Sequence, residues 1–440
     1  MLSRLAEFRV EGLFGLYDHR IKLNLEDRIT IVIGPNGRGK TVCLKIVEAF
    51  FRNRYRYIAG IPFRLAAFYF TGGETVTLHQ REDGMEFAIK APGRKLITWS
   101  PSVIDERLAR EVRRYVPNQW RQISPDVWED QTDGEELTLL ELIVRYPVPA
   151  KVAAALEERA PAEFRNLVGA IDCHLIETQR LLVLPPGEEG DGTYFVGYPD
   201  QRRRRDARLA IKQKASTLKA ILKDTLTKYA NLSQSLDSTY PLRVFEAQGS
   251  ANLSQEQLRQ ELSRLDERRE ALMSAGIMDA DYRAVKLKGG NIEPGVAMAL
   301  EIYVKDAVDK LDVFNSLRAR LDLFKELIDR RFIDKSLQID RELGFTFISK
   351  TGTDVPLEKL SSGEQHQLIL LFDLLFEVTE NSFILIDEPE LSLHVAWQKT
   401  FIESLKRIIA LNAFDVLLAT HSPAVVARHF DLAVELGPVE

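Results

Sequence analysis

Cysteine is scarce in this sequence of 440 residues, and long apolar runs are missing from it. The two cysteines, Cys43 and Cys173, lie outside any CxxC or Cys/His ligand spacing, which excludes a disulfide framework and a structural zinc site. No stretch approaches the roughly 18 apolar residues of a membrane-spanning helix. The N-terminal residues MLSRLAEFRV also lack the apolar segment and cleavage site of a signal peptide. We therefore expect a cytoplasmic protein.

The sequence also lacks a strong excess of either charge, since 59 Lys and Arg oppose 65 Asp and Glu for a formal net charge of -6. With 45% hydrophobic residues, this balance excludes a disordered chain and argues against general coating of nucleic acid. The average hides an acidic stretch, residues 126–141, and a basic stretch, residues 201–230, where ten Lys or Arg face two Asp. Such stretches are usually solvated surface, but both are candidates for partner or nucleic-acid contact. The residues available for DNA contact are Arg202, Arg203, Arg204 and Arg205.

The apolar pattern predicts an α/β fold interrupted by helices. Strands are expected in LAEFRV, HRIKLNL, RITIVIG and CHLIETQRLLVL, with a helix over about 41–54, a strand meander over 66–90 and a helical stretch over 100–170. From 201 to about 333, apolar residues recur every three or four positions, which predicts coiled-coil or bundle helices. One continuous helix is expected from Leu300 to Ile328, with breaks at Tyr240-Pro241 and over 289–295. We predict three regions, 1–200, 201–338 and 339–440, within the two to four domains that the length allows.

The strongest motif is GPNGRGKT, which fits the phosphate-loop pattern GxxxxGK[ST] and lies between an apolar strand and a helix. Glycines let backbone N–H groups wrap the β-phosphate, Lys40 neutralises phosphate oxygens and the Thr41 hydroxyl is a ligand for Mg²⁺. The predicted nucleotide-binding residues are Gly34, Pro35, Asn36, Gly37, Arg38, Gly39, Lys40, Thr41 and Val42.

A second motif is FILIDEPE, residues 383–390, in which carboxylates follow an apolar strand. At a strand end, Asp387 can hold Mg²⁺ while Glu388 orients and activates the attacking water. Such acidic pairs also occur as helix N-caps. The phosphate loop upstream favours the catalytic interpretation.

A third motif, LEKLSSGEQHQL at residues 357–368, precedes the second by about twenty residues. Small residues ahead of an amphipathic helix expose N–H groups that suit an anion. A capping box between Ser361 and Glu364 is the simpler explanation, and both can hold. His421 follows a further apolar strand, where a lone histidine is more often structural. The predicted contacts from this motif are Ser361, Ser362, Gly363 and Glu364.

In chain order the phosphate loop, LSSGE, IDEPE and the THS sequence that contains His421 resemble the head domain of ABC-type ATPases of the SMC, RecF and OLD branch. The resemblance implies an α/β head, split by an inserted helical coiled-coil arm, that binds ATP and Mg²⁺. In that family two heads sandwich two ATP molecules. By this resemblance, Ser361 and Gly363 would contact the γ-phosphate on a second head, Glu388 would be the catalytic carboxylate and His421 the γ-phosphate switch.

The family also has a glutamine that contacts Mg²⁺ at the end of a strand of the N-terminal lobe. We expect Gln179 in LIETQRLL to take this role, with Gln80 as the alternative. Phe14 and Tyr17 are candidates for stacking on adenine. At the position of His394, transporter ATPases carry an aspartate. A histidine there is typical of the OLD-like branch and weakens a transporter interpretation.

The last 80 or so residues and the phosphate loop are similar to the AriA-type ATPase subunits of PARIS anti-phage systems. That resemblance implies a homo-oligomer with a Toprim-like nuclease partner and a phage-encoded trigger protein. Only 19 residues follow His421, so we expect a separate nuclease chain. The alternative is a RecF-like repair ATPase that binds DNA directly through the basic stretch, whereas an ABC transporter subunit is disfavoured by the lack of membrane segments.

Overall fold

The computed structural model describes residues 3–81, 84–100, 112–123, 127–131, 136–138, 142, 145–146, 160–177, 199–247, 252–278, 292–391, 393 and 395–436. The chain forms two compact units, Met1–Arg180 with Thr379–Glu440, and Leu181–Val378. Residues 339–378 therefore group with the helical segment, whereas the sequence analysis assigned them to the C-terminal lobe; the three-region division stays a prediction. Among the described residues, no helix combines the length and hydropathy needed to cross a membrane.

The first unit combines strands and short helices. Its strands are β1 (Leu5–Leu13), β2 (Tyr17–Lys22), β3 (Ile29–Ile33), β4 (Leu65–Phe70), β5 (Thr75–Arg81), β6 (Gly84–Lys90), β7 (Ile97–Trp99), β8 (Trp120–Gln122), β9 (Val127–Asp130), β10 (Glu136–Thr138), β11 (Cys173–Glu177), β15 (Phe383–Asp387), β16 (Asp415–Ala419) and β17 (Ala433–Glu435). Its helices are α1 (Lys40–Phe51), α2 (Tyr55–Ala59), α3 (Ala162–Gly169), α9 (Val395–Gln398), α10 (Phe401–Asn412) and α11 (Pro423–Val426).

A five-stranded parallel sheet in the order β11-β15-β16-β3-β17 forms the centre of the first unit. The run ITIVI of β3 and the run FILI of β15 are buried on both faces, as expected of strands covered on both sides of a parallel sheet. The side chains of β16 are buried throughout. The predicted α/β architecture is confirmed here, and the strand order sets β16 between β3 and β15.

A second, antiparallel sheet in the order β2-β1-β4-β5-β6-β7 contains the predicted meander. Its aromatic side chains pack on α1, where Phe50 and Phe68 stack with ring centroids 3.8 Å apart. The helical prediction for residues 100–170 is wrong in part, because β8, β9 and β10 form a small sheet within it. Trp120 and Trp128 are buried in these strands, and the gain from burying large rings outweighs the many charged neighbours.

The second unit is mainly helical. Its helices are α4 (Pro199–Glu246), α5 (Gln255–Ser274), α6 (Pro294–Asp312), α7 (Asn315–Asp329) and α8 (Ser362–Phe372), and α8 continues into a π-helical turn, Asp373–Glu377. Its strands β12 (Lys335–Asp340), β13 (Gly344–Ser349) and β14 (Asp354–Val355) form an antiparallel sheet. The predicted helical seams are buried, as Leu218, Leu262 and Leu321 illustrate.

Two predictions about where helices break or continue are wrong. Helix α4 runs through Pro241, although proline removes the donor to the Asp237 carbonyl. Contacts with α6 hold the helix on either side of the proline, because the Tyr240 hydroxyl donates to the Ala299 carbonyl and Arg243 pairs with Asp306. The helix expected from Leu300 to Ile328 is instead two helices, α6 and α7. Phe314, between them, is fully buried and packs on Tyr229 with ring centroids 5.1 Å apart.

Candidate nucleotide-binding site

The predicted site residues of the first unit follow one edge of the parallel sheet. Strand register aligns Val32 with Ala419, Ala419 with Asp387, and Asp387 with Glu177. Glu388 therefore lies one residue beyond these aligned positions, and the phosphate loop and His421 each start two residues beyond them. Parallel α/β sheets bind ligands at the carboxyl ends of their strands, and this edge is such an end.

The phosphate loop leads directly into α1. Gly39 is the N-cap with φ 81°, and no side chain caps the helix, so its first N–H groups face the loop. A Cβ on Gly39 would lie 2.8 Å from Cδ2 of Leu13, so only glycine fits. Lys40 is buried, and its Nζ donates to the carbonyls of Gly34 at 2.7 Å and Pro35 at 3.1 Å. The loop thus holds a cation and a helix N-terminus together, as phosphate binding requires.

Aromatic and imidazole rings support the phosphate loop from β2. His19 is buried, and its Nε2 lies 2.7 Å from the Arg38 carbonyl, which only accepts, so Nε2 carries the proton. Burial lowers the pKa of His19, which keeps the ring neutral. Tyr17 stacks on His19 at 5.8 Å, and the Arg38 guanidinium lies 5.3 Å from the Tyr17 ring centroid. Phe14 is 43% exposed, and its Cε2 lies 3.9 Å from where a Cβ of Gly39 would be. Both adenine candidates therefore lie near the loop.

Glu388 has an unusual backbone conformation. Its φ is 46°, in the left-handed region that residues other than glycine seldom adopt. The Glu388 N–H donates to the Ala419 carbonyl at 2.9 Å, which ties the residue to the end of β16. Strained backbone of this kind costs about 1 to 3 kcal/mol and clusters at functional sites. The conformation turns the chain sharply at the position where a catalytic carboxylate is predicted.

Glu390 is a residue to which sequence reasoning gave no role. Its carboxylate is buried and accepts from the Thr420 hydroxyl at 2.8 Å and from the His421 N–H at 2.9 Å. The Nδ1 atom of His421 lies 3.0 Å from Oε1 of Glu390 and 3.6 Å from Oε1 of Glu388. The available signal was the third carboxylate of IDEPE, which lies three residues beyond the end of β15.

The signature stretch belongs to the second unit. Ser361 caps α8 in a reciprocal box, since its hydroxyl accepts from the Glu364 N–H at 3.3 Å and Glu364 accepts from the Ser361 N–H at 2.8 Å. Lys335 pairs with Glu364 at 2.6 Å. Burial alone would raise the pKa of Glu364, but hydrogen bonds from Lys335 and Ser361 outweigh it and lower the pKa. Ser361 and Ser362 are exposed, and a Cβ on Gly363 would meet nothing within 4 Å. The predicted capping box is therefore confirmed, and contact between these residues and an anion stays a prediction.

The predicted Mg²⁺ ligands are divided between described and undescribed residues. Thr41 is the second residue of α1, and Asp387 ends β15 at the shared edge. A hydroxyl and a carboxylate are hard oxygen donors, and Mg²⁺ in such sites takes its remaining ligands from phosphate and water, so this pair fits the ion. Gln179 lies outside the described residues, two positions beyond the end of β11. The alternative, Gln80, is engaged elsewhere, with its Oε1 accepting from the Phe63 N–H and its Nε2 donating to the Ala59 carbonyl.

His394 also lies outside the described residues. The same holds for half of the acidic stretch and for the side chains of Arg202 to Arg205, although the backbone of the four arginines is helical.

Comparisons with known proteins identify the domain type. A family model described as "AAA ATPase domain" matches residues 6–426. UvrABC system protein A of Borreliella burgdorferi is 35% identical over 79 residues, which are 18% of this chain and 8% of that protein. The match therefore spans under a tenth of this curated relative.

Two solved structures align over most of the chain at low similarity. The Smc head domain with an extended coiled coil bound to the C-terminal domain of ScpA, from Pyrococcus furiosus, is 12% identical with a TM-score of 0.32, over 97% of this chain and 92% of that one. The SMC head domain from Thermotoga maritima is 11% identical with a TM-score of 0.33, over 99% of both chains.

Proposed function

The chain belongs to the AAA ATPase domain family, and we propose that it is an ATP-binding and ATP-hydrolysing protein of the SMC, RecF and OLD type. The observation that carries this proposal is the shared sheet edge of the first unit. There the phosphate loop, Asp387, Glu388 and His421 follow neighbouring parallel strands. A nucleotide phosphate chain bound at the loop would have a cation, a carboxylate base and an imidazole at one edge.

Each residue has a role that its chemistry supports. The Lys40 ammonium, now bonded to loop carbonyls, would turn to the phosphate oxygens. Glu388 would accept a proton from the attacking water, and His421 would contact the γ-phosphate. Mg²⁺, held by Thr41, Asp387 and by proposal Gln179, would neutralise phosphate charge.

We further propose that hydrolysis requires a second copy of the chain. The signature stretch from Ser361 to Gly363 is exposed or half-buried, and it presents a helix N-terminus to solvent. Signature residues would complete the nucleotide site of another copy, as the family resemblance implies. Hydrolysis would then be slow in dilute protein and would rise with protein concentration.

The output of the ATPase would be control of a partner. The resemblance of FILIDEPELSLHVAWQ and LLATHSP to PARIS ATPase subunits supports a role in anti-phage defence, with a Toprim-like nuclease subunit as partner and a phage protein as trigger. Co-expression with a Toprim-like nuclease encoded beside this chain tests the proposal. Co-purification in the presence of ATP is expected, and a chain that stays monomeric and partnerless with ATP would contradict it.

Direct binding of DNA is the second candidate, and the basic stretch favours it. Four of its lysines are already ion-paired within the second unit: Lys212, Lys214, Lys219 and Lys228. The remaining charge centres on Arg202 to Arg205. If DNA is bound here, affinity for a duplex should fall steeply with salt and vanish when the four arginines become glutamates. An absence of binding at low salt would remove this candidate.

Phosphate release from ATP in the presence of Mg²⁺ tests the enzymatic proposal. Slow, saturable release by the wild-type chain is expected, and the Lys40→Ala variant should release none above background. A wild-type chain that binds no ATP at millimolar concentration would overturn the proposal.

A further inference from the structure

Glu390 is a buried carboxylate at the proposed ATP site. Its side chain is 6% exposed, whereas that of His421 is 40% exposed. One carboxylate oxygen, Oε2, accepts from the Thr420 hydroxyl, and the other, Oε1, lies within hydrogen-bond distance of two nitrogens of His421, the backbone N and Nδ1. A buried carboxylate with this many partners is held in one orientation.

A closed ring of hydrogen bonds fixes the position of Glu390. The Gln398 side chain donates to the Glu390 carbonyl at 3.2 Å, and the Ser422 hydroxyl donates to the Gln398 side chain at 3.0 Å. The Ser422 N–H in turn donates to the Thr420 hydroxyl at 3.0 Å, and that hydroxyl donates to Glu390. The ring joins the segment after β15 to the segment after β16 independently of any nucleotide.

We propose that Glu390 is a positioning residue that holds the Nδ1–H tautomer of His421 and keeps the His421 imidazole away from Glu388. A carboxylate oxygen has no proton to donate, so its 3.0 Å approach to Nδ1 is favourable only when Nδ1 carries the proton. In this tautomer Nε2 carries a lone pair, so contact with the anionic γ-phosphate requires a second proton on Nε2; the imidazolium would then direct one N–H to Glu390 and the other to the phosphate. The inference rests on the proposed function for its consequence in hydrolysis, but the tautomer is a property of the chain alone.

The distance to Glu388 explains why a second carboxylate is needed. Oε1 of Glu388 lies 3.6 Å from the same Nδ1 atom, only slightly further than Glu390. Without Glu390, the Nδ1–H group would turn to Glu388 and occupy the oxygen that accepts the proton of the attacking water. Loss of Glu390 should therefore slow the chemical step and leave ATP affinity unchanged, a separation that general misfolding would not produce.

The test combines a spectroscopic and a kinetic measurement on the full chain. Long-range ¹H–¹⁵N spectra of histidine-labelled protein report which ring nitrogen is protonated, and the His421→Gln variant assigns the resonance among the seven histidines. Glu390→Met removes both acceptors, Glu390→Gln retains one acceptor at the same length, and Thr420→Val removes the other partner of Glu390.

The wild-type chain and Glu390→Gln should show Nδ1–H at His421. Glu390→Met should lose this tautomer and lower kcat by about 10- to 100-fold, the range for loss of an outer partner that orients a functional histidine in metal sites, with an unchanged Kd for ATP. Thr420→Val should keep the tautomer.

An Nε2–H tautomer in the wild-type chain would overturn the inference even if Glu390→Met failed to fold. A Glu390→Met variant with the wild-type tautomer and the wild-type kcat would also overturn it. A wild-type chain with the expected tautomer but no ATPase activity would leave the inference on positioning intact and refute the proposed function instead.

Discussion

The N–H of Thr420 donates to the carbonyl of Val32 at 3.1 Å, one residue beyond the last paired residues of β16 and β3. The segment from β16 to His421 is thus bonded to β3, the strand that leads into the phosphate loop. Glu388 joins the same edge through its N–H bond to Ala419. The groups expected to bind, attack and sense the γ-phosphate therefore share one rigid support rather than separate loops.

Lys40→Ala should abolish binding of ATP. The ammonium group is the buried cation of the phosphate loop, and without it the phosphate charge faces only backbone dipoles. Lys22→Ala, at an exposed position of β2, is the matched control and should bind ATP as the wild-type chain does. Fluorescence titration with a labelled ATP analogue measures both. Equal affinity of the two variants would contradict the assignment of the loop.

A mixture of two inactive variants should recover activity if the signature acts in trans. Lys40→Ala disables the phosphate loop and Gly363→Glu places a carboxylate beside the expected γ-phosphate position; the open space around Gly363 allows that variant to fold. In a mixed dimer, one site then combines an intact loop with an intact signature. Phosphate release by the mixture should exceed that of either variant alone. If the mixture releases no more than the separate variants, the signature does not act across copies.

Lys214→Met should destabilise the second unit strongly. Lys214 is buried and pairs with Asp373 and Glu377, each at 2.7 Å. Removing the cation leaves carboxylates without compensation, and breaking a buried pair costs about 3 to 5 kcal/mol. Lys219→Met breaks an exposed pair with Glu342 and should cost less than about 1 kcal/mol. Urea unfolding of both variants gives the comparison, and similar losses would show that the Lys214 cluster is not special.

The same cluster predicts a dependence of stability on pH. Burial raises the pKa of Asp373 from 3.8 to about 7, and the neighbouring Glu377 carboxylate adds to this rise against the opposing effect of Lys214. The folded chain then binds a proton that the unfolded chain releases above about pH 4. The stabilisation is complete below that pH and is lost as the pH rises through 7. Urea unfolding between these values should show wild-type stability falling relative to Asp373→Asn; parallel curves would be inconsistent with a raised pKa.

Local motifs were predictable, because a few adjacent residues carry them. GPNGRGKT specifies a strand, a loop and a helix within a dozen positions, and the structure has β3 and α1 on either side of it. The IDEPE carboxylates could likewise be assigned to a strand end. The partners of Glu390 could not, because they lie 30 and 31 residues away and meet it only when β16 pairs with β15.

Helix ends and short strands depend on tertiary contacts that a linear pattern does not contain. The helix persists through Pro241 because Tyr240 and Arg243, on either side of it, are held by contacts with α6. The apolar spacing from Leu300 to Ile328 continues across a break because Phe314 packs on Tyr229 of another helix. β8 and β9 form where buried tryptophans outweigh a charged sequence.

Single-turnover hydrolysis by Glu388→Gln tests the central claim most directly. The amide keeps the size of Glu388 but cannot accept the proton of the attacking water. ATP should bind Glu388→Gln as tightly as the wild-type chain, while phosphate release should fall by about 100-fold or more, the usual contribution of a general base. Hydrolysis at the wild-type rate would contradict the account, because the edge shared by the phosphate loop, Glu388 and His421 would then not be where ATP is hydrolysed.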